Sequence, residues 1–167
     1  KPEGLDEYWL NEAKTFNETT RIMIGEIENK IKTIIADKLQ DYFGDAWLVK
    51  GLPKNIYTKA KKLADDRMYD LKMNDTDAED VDIWDFVTLA DCQSIVLTGK
   101  NWSTIFEDLL VRPEEVRIAG GKEAKTQWIL RMSAIKNKLA KDSYSVPVDE
   151  YSYVKSVYDW IMDMLIL

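Results

Sequence analysis

Between Leu5 and Phe43 the chain carries apolar residues at Leu5, Trp9, Ala13, Phe16, Met23, Ile27, Ile31, Ile34, Ile35, Leu39 and Phe43, with no proline and a single glycine, Gly25. Steps of three and four residues place these side chains on one face of an α-helix. An unbroken helix over this stretch would be about 55 to 60 Å long at 1.5 Å per residue, more than a small bundle needs. The pattern therefore predicts a long helix with a bend or break near Asn17-Glu18-Thr19-Thr20, where Asn17 or Thr19 can cap a second start. The apolar stripe is assigned to the core, with a dimer seam as the alternative.

The remaining sequence reads as further helices. After Gly44 and Gly51, Pro53 opens a helix whose apolar face runs through Ile56, Ala60, Leu63, Ala64 and Met68 to about Met73. Its other face holds Lys54, Lys59, Lys61, Lys62 and Arg67, read as a solvated face with phosphate contact as the alternative. The acidic stretch Asn74–Asp80 lacks the glycine and glutamate of a calcium loop in either register. It reads instead as negative charge ahead of the next helix, where the helix dipole favours it.

A helix is expected from about Asp82 to Leu97, stopped by Gly99 in a left-handed conformation. Asn101 is expected to cap a short helix bearing Trp102, Ile105, Phe106, Leu109 and Leu110 before Pro113. Gly99-Lys100 lacks the earlier glycine and the strand of a phosphate-binding loop. A helix from about Glu123 to Ala140 follows, with Trp128, Ile129, Met132, Ile135 and Leu139 on one face. After a loop at Lys141–Val146, Pro147 opens a last helix with Tyr151, Val154, Val157, Tyr158, Ile161, Met162 and Leu165 apolar.

No strand pattern appears, and only 7 glycines and 4 prolines interrupt the 167 residues. The expectation is one all-α domain over residues 1–167, a bundle of about five to seven helices with a long N-terminal helix. The start at Lys1-Pro2-Glu3 is read as that of a domain excised from a longer protein.

Composition narrows the chemistry. The chain has no histidine and one cysteine, Cys92, so Ser-His and Cys-His nucleophiles and Cys/His zinc sites are excluded. No cofactor and no metal are expected. A lone cysteine fits a reducing, cytoplasmic compartment, and no apolar run approaches the ~20 residues of a membrane span. The net charge of −7 opposes non-specific binding to phosphate backbones, so any nucleic-acid contact must be local.

The one stretch with a chemical outline is Arg131–Tyr144, and within it Lys136-Asn137-Lys138-Leu139-Ala140-Lys141. These residues resemble the signature of the HEPN superfamily, helical-bundle domains common in RNA-cleaving toxins and defence proteins. That signature is arginine, then asparagine or another polar residue, three residues, then histidine, near the end of a late helix. Here Lys136 stands at the arginine position, Asn137 matches, and Lys141 stands at the histidine position. The long N-terminal helix, Trp102 opening a short helix, and Ser143-Tyr144-Ser145-Val146 leading into Asp149-Glu150-Tyr151 are similar to a branch of the family appended to larger proteins.

In active members the resemblance implies metal-free RNA cleavage across a two-fold dimer, with paired loops forming one site. Such chemistry needs a group that exchanges a proton near neutral pH and cations that stabilise charge developing on phosphate. A lysine, with an unperturbed pKa of about 10.4, is a poor stand-in for a histidine of about 6.5. A lysine in place of arginine keeps the charge but loses the bidentate fork.

The resemblance thus implies a non-catalytic domain serving dimerisation or contact with a partner or RNA in a larger defence or RNA-metabolism protein. Two alternatives stand beside it: a metal-independent ribonuclease using Lys136, Asn137 and Lys141, and an unrelated helical adaptor. Arg131 and Lys138 are the accompanying candidates for nucleic-acid contact. The expected partners are a second copy of the chain, another domain of the parent protein, or RNA, and no membrane. Cations in the last turn of a helix also favour its negative dipole end, which by itself accounts for the lysines.

Overall fold

The computed structural model describes residues 5–74, 81–117 and 119–164, and these residues are all-α, with no strand among them. Residues 75–80 of the acidic stretch and Leu165 lie outside the described residues, as do the side chains of Leu5, Trp9 and Ala13.

The N-terminal pattern folds as one helix, α1, over Leu5–Phe43. The expected break near Asn17–Thr20 does not form, and α1 runs helical through both candidate caps, Asn17 and Thr19. The Asn17 amide is engaged with backbone 127 residues away in the sequence. Thr20, fully buried, donates its hydroxyl to the Phe16 carbonyl one turn back at 2.6 Å. Gly25 sits in the exposed stripe of this helix, where a Cβ would meet nothing within 4 Å. Packing within the chain therefore does not require glycine there, although glycine costs about 0.5–1 kcal/mol relative to alanine in a helix interior. The helix stops at Gly44, whose φ of +68° is readily adopted only by glycine.

Two compact units share α1. The first comprises residues 1–34 and 128–167. It contains α6 (Gln127–Leu139) from Trp128 onward and α7 (Val148–Met162). Its core is drawn from Ile24, Ile27 and Ile31 of α1, Trp128, Ile129, Met132, Ile135 and Leu139 of α6, and Val154, Val157 and Ile161 of α7. The α6 stripe is the one its periodicity predicts. Trp128 meets Trp160 edge-on at 5.2 Å, and Phe16 meets Tyr151 edge-on at 5.0 Å, both favoured aromatic arrangements.

The second unit, residues 35–127, adds α2 (Trp47–Gly51), α3 (Lys54–Met73), α4 (Leu89–Leu97) and α5 (Lys122–Lys125). Here the local expectations need correcting. On α3 only Ile56, Ala60 and Ala64 are buried, while Leu63 and Met73 are exposed, so the apolar stripe is narrower than its sequence suggests. The basic face is partly neutralised. Lys59 grips Asp91 at 2.8 and 3.0 Å, and Lys61 pairs with Asp65 one turn on.

The helix expected from about Asp82 to Leu97 is two elements, a 3-10 turn at Ile83–Phe86 and then α4. The chain turns extended at Val87 and Thr88, and Thr88 and Asp91 form a reciprocal capping box that starts α4 afresh. Gly99, at φ +53°, ends the segment as expected. Asn101, however, is helical itself and caps nothing. Its buried amide donates to the carbonyls of Gly51 and Ile95, each at 2.9 Å, and the following Trp102–Phe106 is a π-helical turn. The helix expected from about Glu123 is likewise divided at Thr126. Its hydroxyl, fully buried, donates back to Lys122 at 2.9 Å and accepts from Gln93 at 3.2 Å.

Candidate functional site

The helix α6 and its connection to α7 hold all five residues singled out by sequence. Burial of Met132, Ile135 and Leu139 fixes the helix rotation, which leaves Arg131, Lys136, Asn137 and Lys138 exposed. The four do not share one surface. Lys136 turns toward α1, where its ammonium lies 2.8 and 3.2 Å from the two carboxylate oxygens of Glu28. Lys138 turns toward α7 and pairs with Glu150 at 3.2 Å. The Arg131 guanidinium lies 3.6 Å from the ring centroid of Tyr153, also on α7, in cation–π geometry.

Asn137 is exposed between Lys136 and Lys138. Lys141 follows the helix in a tight turn, its backbone N–H donating to Lys138 and its carbonyl accepting from Tyr144. It lines an open cleft of about 470 Å³ with Lys14, Thr15, Asn17, Glu18, Arg21 and Asp142. Lys136 and Lys141 thus lie along the same flank of α1 with Arg21 between them, and Arg131 and Lys138 lie on the α7 side.

Two α1 residues that the sequence reading did not assign to the site hold the loop in place. Asn17 donates to the Tyr144 carbonyl at 2.7 Å and accepts from the Val146 N–H at 2.8 Å, so one side chain satisfies both backbone groups. Arg21 donates to the Leu139 carbonyl at 3.1 Å, answering one of the orphan carbonyls at the α6 terminus, and pairs with Glu18 at 2.8 Å. Four residues apart on one helix, Asn17 and Arg21 face the same way. That spacing was the only local signal, and nothing in it indicates a partner more than a hundred residues distant.

On the α7 side Tyr144 donates to Glu150, whose other oxygen receives Lys138. Burial, and then the hydrogen bond to the Glu150 carboxylate, push the Tyr144 phenol up to about 12. Tyr144 is consequently a neutral donor throughout the physiological range and is unsuited to accept a proton.

Among the described residues no group of three or more acidic or cysteine side chains could hold a metal ion, and no helix is long and apolar enough to cross a membrane. Comparison with known proteins finds no matching family model, curated protein or solved structure. The arrangement can stabilise negative charge at Lys14 and Lys141, whereas Arg21, Lys136 and Lys138 are already matched by Glu18, Glu28 and Glu150.

Proposed function

We propose that the chain is a HEPN-like domain without ribonuclease chemistry, serving dimerisation or contact with a partner or RNA within a larger defence or RNA-metabolism protein of the cytoplasm. The observation that carries the reading is the 2.8 Å pairing of Lys136 with Glu28. The cation at the motif's arginine position is matched by a carboxylate of its own chain, which would compete with a substrate phosphate. Lys138 is matched in the same way by Glu150. The nearby Tyr144 phenol, raised to about 12, does not replace the missing histidine.

The test is incubation of the purified chain with labelled single-stranded RNA in EDTA, alongside Lys136→Ala and Lys141→Ala. No cleavage above the blank is expected. Cleavage that disappears in both variants would overturn the reading in favour of a metal-independent ribonuclease using Asn137 and the lysines. That second reading draws its support from the open cleft that brings Lys14 and Lys141 together, where a phosphate would compete with Glu18 for Arg21.

A further inference from the structure

We infer that the outer face of α1 around Ile22 and Gly25 is a self-complementary interface for a second copy of this chain. The inference deepens the dimerisation arm of the proposed function and rests on it. The first observation is a hollow with no occupant from its own unit. Gly25 offers open space where a Cβ would stand, and beside it lies an apolar hollow of about 300 Å³ lined by Arg21, Ile24, Gly25, Lys136, Leu139 and Ala140. An apolar cavity of about 150 Å³ already accepts benzene, so this one has room for a branched aliphatic side chain. The second observation is the matching knob. Ile22, less than one turn away on the same helix, is 55% exposed.

A knob and a hole three residues apart on one helix suit a two-fold contact, in which residue i meets j and j meets i. If α1 crosses its copy antiparallel, with the axis between Met23 and Ile24, then Ile22 of each copy meets Gly25 of the other. The same register sets Arg21, which pairs with Glu18 of its own chain, opposite Glu26, which accepts from its own Tyr158. It sets Glu18 opposite Asn29, so that no like charges are opposed and the contact would extend existing pairs. Arg21, Ile22, Gly25, Glu26 and Asn29 are all exposed, so none must leave the core to make the contact. Glycine at the crossing lets the two backbones approach closely, which gives Gly25 a role that packing within the chain does not.

The test is the solution mass of the full 167-residue chain by light scattering across micromolar concentrations, with Ile22→Glu and Gly25→Leu variants. The expected result is a dimer for the unaltered chain and association at least about tenfold weaker in each variant. Gly25→Leu fills the hollow where a Cβ meets nothing, so its helical circular dichroism and melting temperature should match or exceed the parent's at a concentration where both are monomeric. Gly25→Ala provides a milder variant, expected to melt higher and associate more weakly. A dimer that persists undiminished in all three variants overturns this interface while leaving dimerisation intact. A monomeric parent chain overturns both the interface and the dimerisation reading.

Discussion

Replacing Asn17 by alanine removes both side-chain hydrogen bonds that fasten the α6–α7 connection to α1, at 2.7 Å to Tyr144 and 2.8 Å to Val146. Each typical hydrogen bond contributes about 0.5–1.5 kcal/mol net, and a buried group left unpaired costs about 1–3 kcal/mol. Val146 is 8% exposed, so its N–H falls into the second class, whereas the Tyr144 carbonyl is only part-buried and can turn to water. Alanine's better helix propensity offsets roughly 0.5 kcal/mol. The expected loss is therefore about 1–4 kcal/mol, or about 2–16 °C in melting temperature for a chain of this size.

Asn17→Asp keeps the acceptor for Val146 but sets a carboxylate oxygen against the Tyr144 carbonyl, where the amide donated at 2.7 Å, and should not recover the stability lost in Asn17→Ala. Urea unfolding measures the totals, and hydrogen exchange at the Val146 amide reports the local opening. A loss below about 0.5 kcal/mol in Asn17→Ala, or unchanged exchange at Val146, would refute the view that Asn17 fastens this loop.

Two further perturbations test the second unit. Burial pushes the Asp91 carboxyl up, but hydrogen bonds from Lys59 and Thr88 outweigh it and hold the group below its ordinary 3.8. A depressed folded pKa contributes stability that is present above the unfolded value and lost as pH falls through the folded one. Asp91→Asn should therefore destabilise the chain at pH 7, and its deficit against the parent should shrink in strong acid; a deficit constant with pH in urea titrations would contradict this. Asn101→Ala removes two buried hydrogen bonds at 2.9 Å and should cost about 2–4 kcal/mol in urea unfolding, well above the ~1 kcal/mol of a lost helix cap. A loss near the cap value would return Asn101 to the role its position in the sequence suggests.

The all-α class, the long first helix and the buried faces of α6 and α7 follow from sequence alone, because a 3.6-residue apolar period and scarce glycine and proline act locally. Met132, Ile135 and Leu139 had to point inward, and that orientation put Lys136, Asn137 and Lys138 on the outside. Helix boundaries were less legible wherever a polar residue had two uses. Asn17 and Asn101 each have the side chain of a cap, yet Asn17 binds the distant Tyr144 carbonyl and Val146 N–H, and Asn101 binds the distant Gly51 carbonyl as well as that of Ile95 six residues back. Only tertiary proximity selects between those uses.

The same holds for charge. Sequence presents four cations between Arg131 and Lys141 as a single cluster. Folding divides them, with Lys136 on Glu28, Lys138 on Glu150, Arg131 over Tyr153, and Lys141 in a cleft beside Lys14 and Arg21. Helical spacing states which way a side chain leaves its own helix. Which neighbouring helix meets it, and whether that neighbour brings a carboxylate, an aromatic face or another cation, is settled by long-range packing that no local period encodes.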